Sequence, residues 1–101
     1  MSTPHIHLPD RTIAEFCRRW EIREFSLFGS VLRDDFRPES DIDVVVSFQS
    51  GAQWSLLDLA TMQEELSGIL GRAVDLIEAE ALRNPYRRAA ILGSRQVVYA
   101  A

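Results

Sequence analysis

Two aspartates, Asp41 and Asp43, stand at the head of a valine-rich segment, DIDVVVSF, where carboxylates are not expected. Side chains alternate between the two faces of a strand, so both aspartates point to the same face, about two residue rises or roughly 7 Å apart. Like charges at that spacing repel each other and resist burial. A cation shared by the two carboxylates would offset this cost, so the spacing predicts a metal-binding pair.

A third carboxylate, Asp75, lies in the same setting, inside the apolar segment AVDLI. If a strand over 73–77 neighbours the strand over 41–46, Asp75 joins the pair. The chain has no lysine that would neutralise such a cluster. Because every donor is oxygen, Mg²⁺ or Mn²⁺ is favoured over zinc. Enzymes that catalyse in-line displacement at phosphorus commonly use two metal ions held by shared carboxylates.

Gly29 and Ser30 are candidate phosphate-binding residues. Ten residues separate Ser30 from Asp41. Glycine lets the backbone approach a phosphate closely. The free N–H groups of the helical turn expected over 30–35 favour an anion, and the Ser30 hydroxyl donates one further hydrogen bond. The pattern therefore predicts a nucleoside triphosphate beside the carboxylates.

The elements that must position these residues alternate along the chain. Hydrophobic spacing and turn residues predict helices over 11–20, over 54–71 and from Pro85, and strands over 24–29, 41–48, 72–78 and 95–100. This order predicts a small α/β or α+β domain, with helices packed on a sheet of about four strands. Strand direction does not follow from the pattern. We expect residues 1–9 to be a flexible N-terminus and 10–101 to be a single domain.

The helix over 54–71 shows the clearest hydrophobic stripe, which we expect to face the core. Its members are Leu56, Leu59, Ala60, Leu66, Ile69 and Leu70. Gly71 supplies the expected C-terminal stop.

Composition limits the classes of protein to which the chain belongs. The net charge of −4 argues against a protein whose main task is to coat nucleic acid, and we expect no direct binding of nucleic acid. No apolar run of 18 or more residues and no signal peptide is present, which predicts a cytoplasmic protein without a membrane segment. The single cysteine, Cys17, excludes an internal disulfide and is expected to pack in the core.

The segment GSVLRDDFRPESDIDVVV resembles the signature of the DNA polymerase β-type nucleotidyltransferase superfamily. More closely, it is similar to the minimal nucleotidyltransferases, the small MNT or MntA-like proteins often paired with a HEPN-domain toxin. The resemblance covers about residues 10–99 and implies a small mixed sheet with helices packed on it. It also implies that Asp41, Asp43 and Asp75 are metal ligands and catalytic residues, with Asp75 acting as base toward the attacking hydroxyl.

The same resemblance assigns the nucleotide-binding residues. Gly29 and Ser30 hold the triphosphate, while Arg33 and Ser40 support the site. The chain departs from the pattern in one place, because many relatives have glycine after the motif arginine where this chain has acidic residues at 34–35. Because the motif residues themselves are present, that departure bears on how the substrate is bound more than on the fold.

The resemblance implies transfer of AMP from ATP, with Mg²⁺ (two ions) or Mn²⁺ as cofactor, to a tyrosine hydroxyl of a HEPN toxin. The chain would then be the antitoxin of a toxin–antitoxin pair. So small a domain has little surface for an acceptor pocket, so the acceptor is expected on another molecule, in a homo- or hetero-oligomer. Two alternatives stay open: a non-catalytic antitoxin that occludes the toxin, and an antibiotic-type, small-molecule nucleotidyltransferase. The candidate contact residues, if exposed, are Trp54, Tyr86, Arg87 and Arg88.

Overall fold

The chain alternates helices and strands as its hydrophobic pattern predicts. The computed structural model describes residues 6–33, 36–37 and 39–101. Along the chain it contains α1 (Asp10–Arg19), β1 (Ile22–Phe28), a 3-10 turn here named the Gly29 turn (Gly29–Leu32), β2 (Ile42–Phe48), α2 (Leu56–Leu70), β3 (Val74–Glu78), a second 3-10 turn (Ala79–Ala81), α3 (Pro85–Ser94) and β4 (Gln96–Ala100). The acidic departure at 34–35 lies outside the described residues.

The four strands form one mixed sheet in the order β3-β2-β1-β4. Strand β1 pairs antiparallel with β2 and with β4, whereas β2 and β3 are parallel. Parallel neighbours need a long crossover connection, and α2 provides it. The predicted fold class, a small α/β sheet of about four strands with helices packed on it, is confirmed.

The two faces of the sheet are both covered, but by different helices. On one face, Val44 of β2 belongs to a buried cluster with Ile13 and Phe16 of α1 and Leu66 of α2. On the other face, Val45 lies in a second cluster with Phe28, Ala79, Leu82 and Ile91, the last of these on α3. Because successive strand residues alternate faces, Asp43 shares the face of Val45. We call this second face the site face.

Side-chain caps fix the ends of the helices that flank the site strands. The Ser55 hydroxyl accepts from the Asp58 amide at 3.1 Å, and the Asp58 carboxylate accepts from the Ser55 amide at 2.9 Å, so α2 begins with a capping box. Gly71 ends α2 with φ +71°, a left-handed conformation that glycine adopts without strain. Asn84 caps α3 and Pro85 opens it.

The hydrophobic stripe predicted for α2 is wrong at Leu56 and Ala60. Leu56 is 85% exposed and Ala60 is exposed, whereas the buried residues of the helix are Met62 and Leu66. Leu59, in the first turn, packs against the main cluster with Leu66. At 3.6 residues per turn, Leu56 and Ala60 lie to the side of that packed stripe.

Cys17 packs inside the main cluster, as its position in α1 predicts. Its side chain is fully buried and is not disulfide-bonded. Burial raises the pKa of the Cys17 thiol to about 12, and the nearby Arg18 charge lowers it only in part. The thiolate is therefore strongly disfavoured in the native state. Among the described residues, no helix is long and apolar enough to cross a membrane.

Candidate active site

The parallel pairing of β2 and β3 places Asp43 directly opposite Asp75. Both side chains lie on the site face, because Ile42 and Val44 on either side of Asp43 point into the main core. On its other flank, Asp43 is paired with Phe28, the last residue of β1. The expectation that these two strands are neighbours is confirmed; the chemical roles of the aspartates stay predictions.

Asp43 is the most buried of the three aspartates. It is half-buried, whereas Asp75 is exposed and Asp41, which precedes the first residue of β2, is also exposed. Burial raises the pKa of Asp43, and the charges of Asp75 and then Asp41 raise it further; Arg33 and Arg87 lower it. Three carboxylates and two guanidinium groups therefore act on one another around Asp43.

Gly29 lies in close contact with the Asp43 carboxylate. A Cβ atom placed on Gly29 would overlap Asp43 Oδ2 and would lie 3.2 Å from Asp43 Cγ. Gly29 also has φ +78°, in the left-handed region that favours glycine. The chain thus needs glycine here for two independent reasons, and the Asp43 carboxylate packs directly against the Gly29 backbone.

The other residues expected to bind nucleotide take different positions. Ser30 is half-buried in the Gly29 turn, and its carbonyl accepts from the Arg33 amide at 2.9 Å. Ser40 is tied to Arg37, because its hydroxyl accepts from the Arg37 amide at 3.2 Å and its own amide donates to the Arg37 carbonyl at 3.0 Å. Arg72 donates to that same carbonyl at 2.6 Å. Ser40 therefore holds the chain that leads into Asp41.

A groove of about 450 Å³ runs between the Gly29 turn and α3. Gly29 and Arg33 line one side, and Arg87 and Ile91 line the other. We call it the α3 groove. Sequence reasoning considered Arg87 only as a contact residue for a partner, because no spacing links it to the aspartates. Only the packing of α3 on the site face brings it there.

The other candidate contact residues are used differently. Trp54 is half-buried, contacts Trp20 edge-on at 5.0 Å between ring centroids, and donates to the Trp20 carbonyl at 3.0 Å. Arg88 donates to the Ala79 carbonyl at 2.8 Å. Tyr86, at 86% exposed, is accessible.

The aspartates have the donor chemistry for a hard divalent cation but do not yet surround one point. Within residues 6–33, 36–37 and 39–101, no three His, Cys, Asp or Glu side chains converge closely enough to hold a metal ion. Asp41 and Asp75 are exposed, so their carboxylates are free to change rotamer. The carboxylates raise the pKa of Asp43, and a shared cation would reverse this effect. Asp41, Asp43 and Asp75 carry the oxygen donors that Mg²⁺ or Mn²⁺ prefers, and their role as metal ligands stays a prediction.

Comparison with known families bears directly on this site. The family model described as nucleotidyltransferase domain matches residues 10–98. The chain belongs to the nucleotidyltransferase domain family. The match extends from α1 into β4 and includes both aspartate strands and the Gly29 turn. The resemblance of the Gly-Ser and Asp-x-Asp motifs to this superfamily is confirmed, and so is the enzyme class, nucleotidyltransferase.

Individual relatives of this nucleotidyltransferase agree with the family match. Protein adenylyltransferase MntA of Thermococcus cleftensis is 33% identical over 85 residues, which are 84% of this chain and 81% of that protein. A solved toxin–antitoxin structure with AMP-PNP contains a chain with a TM-score of 0.74 at 18% identity, covering 93% of this chain and 75% of that one. A structure of a tri-AMPylated Shewanella oneidensis HEPN toxin in complex with MNT antitoxin gives a TM-score of 0.66 at 17% identity, covering 91% and 70%. At such identities, the two solved structures establish the fold of the nucleotidyltransferase only.

Proposed function

We propose that this nucleotidyltransferase transfers AMP from ATP to a tyrosine hydroxyl of a partner HEPN toxin and thereby acts as an antitoxin. The observation that carries the proposal is the pairing of Asp43 with Asp75, with Gly29 packed against the Asp43 carboxylate. The family match supplies the reaction class. The names of similar proteins, a protein adenylyltransferase and an MNT antitoxin in complex with a tri-AMPylated toxin, support the choice of acceptor.

The reaction exchanges one bond at the α-phosphorus of ATP. The acceptor oxygen forms a bond to the α-phosphorus, the bond from that atom to the oxygen bridging to the β-phosphate breaks, and pyrophosphate leaves. The hydroxyl proton passes to a base, for which we propose Asp75, since its exposed carboxylate lies opposite Asp43. Mg²⁺ or Mn²⁺, when held by Asp41, Asp43 and Asp75, supplies positive charge to the triphosphate and lowers the pKa of the attacking hydroxyl.

The Gly29 turn has the features needed to hold the phosphates. Gly29 lies against the Asp43 carboxylate. A glycine backbone lets a phosphate approach closely, and the Ser30 hydroxyl is a hydrogen-bond donor. Arg33 lines the α3 groove beside them, and a guanidinium binds phosphate oxygens in pairs. These residues would hold the triphosphate while the carboxylates face the α-phosphorus.

We place the acceptor on a separate chain and the protein in the cytoplasm. Among the described residues, the α3 groove is bounded by the end of β1, the Gly29 turn with Arg33, and α3, and we propose that a partner supplies the acceptor side. A free, buried thiol at Cys17 agrees with a reducing compartment. We likewise treat residues 10–101 as one folding unit.

The test incubates the purified chain and the HEPN toxin with Mg²⁺ and ATP labelled at the α-phosphate. We expect label to appear on the toxin and to be lost with Asp43→Ala, while the variant keeps the circular dichroism spectrum of the wild type. Asp10→Ala, which removes an exposed carboxylate at the start of α1, is the matched control and should label normally. If no label transfers and wild type and Asp43→Ala neutralise the toxin equally, the chain is a non-catalytic antitoxin and the proposal fails.

A further inference from the structure

Arg87 is a cation in the α3 groove that nothing so far assigns to the reaction. Its backbone amide is bound to the Asn84 cap at 3.1 Å. Its guanidinium forms no hydrogen bond or ion pair with any residue that the structure describes. Other arginines are engaged: Arg19 pairs with Glu65 and Arg95 with Glu24, for example. Arg87 is thus held by its helix but keeps its donors available.

The packing of α3 determines where Arg87 points. Arg88 bonds to the Ala79 carbonyl, and Ile91 is buried against the site face with Phe28. Arg87, Ile91 and Ser94 recur at helical spacing and line the same groove. The helix is therefore fixed on the sheet with its Arg87 face toward the Gly29 turn.

Two arginines from different parts of the fold line the α3 groove. Arg33 follows the Gly29 turn on one side, and Arg87 projects from α3 on the other. Gly29, which lines the same groove, lies against the Asp43 carboxylate, so the groove begins at that aspartate. A ligand with several negative charges that begins at Asp43 and continues along the groove would meet both arginines. Each guanidinium offers a planar pair of donors that suits phosphate oxygens.

We propose that Arg87 binds the pyrophosphate portion of ATP, across the α3 groove from Arg33. This inference rests on the proposed function, because transfer of AMP places the α-phosphorus at the carboxylates. The β- and γ-phosphates then extend from the Gly29 turn into the groove, where the two arginines flank them. Arg87 is accordingly a substrate-binding residue that also stabilises the pyrophosphate leaving group.

Binding measurements without any toxin test the inference. Isothermal titration with Mg²⁺ and an α,β-methylene analogue of ATP, with pyrophosphate, and with AMP compares wild type and Arg87→Gln. We expect Arg87→Gln to weaken binding of the analogue and of pyrophosphate about tenfold, the factor associated with one hydrogen bond to a charged group. Affinity for AMP should stay unchanged. Arg87→Lys should recover only part of the loss, because lysine lacks the paired donors.

Arg83→Gln is the matched control, since Arg83 is exposed, precedes α3 and does not line the groove. It should bind all three ligands as the wild type does. Unchanged affinity of Arg87→Gln for the analogue would overturn the inference, and so would an equal loss for AMP and for the analogue. The binding measurement contains no toxin, so it is independent of the labelling experiment. Weaker binding of the analogue by Arg87→Gln would support the role of Arg87 even if the toxin is not labelled. Unchanged binding would refute the role of Arg87 but not the proposed transfer of AMP.

Discussion

At the scale of single residues, Asp43 is where the requirements of folding and of chemistry conflict. Its backbone continues a strand whose neighbours Ile42 and Val44 are fully buried. Its side chain is half-buried, lies opposite Asp75 and packs against Gly29. Burial and neighbouring negative charge both oppose ionisation. A residue chosen for stability alone would be apolar here, so the carboxylate indicates a functional role.

Gly29→Ala tests the close contact between the Gly29 turn and Asp43. The new Cβ must displace the Asp43 carboxylate, so we expect toxin labelling to fall at least about tenfold and binding of the ATP analogue to weaken. Gly71→Ala is the matched control, because Gly71 has a similar φ of +71° but nothing within 4 Å of the added atom. It should lose stability through backbone strain and keep labelling activity. Equal activity losses in both variants would contradict the steric account.

Asp43→Asn tests the cost of the buried charge. The pKa of Asp43 is raised, so its contribution to stability is present below the ordinary carboxyl pKa of 3.8 and is lost as pH rises through the raised value. The amide does not ionise, so we expect the variant to be more stable than wild type at neutral pH, with a difference that shrinks toward pH 3.8. Urea unfolding across this pH range measures it. A pH-independent difference would show that the charge is not responsible.

Asp43→Asn also tests whether Mg²⁺ stabilises the protein by binding at Asp43. At neutral pH, Mg²⁺ should raise the Tm of the wild type, because a bound ion stabilises the folded state. Asp43→Asn should respond much less. An identical rise in both proteins would place the cation elsewhere.

At the scale of elements, the crossover helix α2 creates the site. It connects β2 to β3 in parallel and so aligns Asp43 with Asp75. The place of Asp43 in a strand and of Gly29 in a turn was predictable, because a period of two along a strand and a glycine before a turn are local signals. The register between strands was not predictable, since it depends on the connection and on both sheet faces. Arg87 had no local signal at all, because only α3 packing brings it to the groove.

The misassigned stripe on α2 gives a stability test at this scale. Leu66 is fully buried and Leu56 is 85% exposed, although one periodic pattern predicted both as core. We expect Leu66→Ala to reduce the free energy of unfolding by about 2–5 kcal/mol. Leu56→Ala should change it by less than about 0.5 kcal/mol. Chemical denaturation of both variants decides, and a comparable loss in Leu56→Ala would mean that the Leu56 side chain packs against the domain.

At the scale of the whole molecule, the fold divides its two faces between different tasks. One face builds the main core with α1 and α2, and the site face combines a smaller cluster with the aspartates and the α3 groove. The main core packs the strands against α1 and α2, whereas the smaller cluster leaves Arg87 and the Gly29 turn near the surface. The candidate site therefore lies across the sheet from the main core.

The reactivity of the Cys17 thiol measures whether the main core is folded. Its thiol is fully buried and its pKa is about 12, so a thiol reagent such as DTNB should not react with the native protein at mildly alkaline pH. Reaction should follow global unfolding in urea with the same midpoint as the circular dichroism signal. Rapid modification of the native protein would contradict the described packing of α1.

The most direct measurement asks which phosphorus reaches the toxin. The wild-type chain, Mg²⁺ and the HEPN toxin are incubated in parallel with ATP labelled at the α-phosphate and ATP labelled at the γ-phosphate. The paired aspartates, the Gly29 turn and the family match together predict label on the toxin only from the α-position, with pyrophosphate released. Label from the γ-position, or from neither position with an intact, folded protein, would contradict the account.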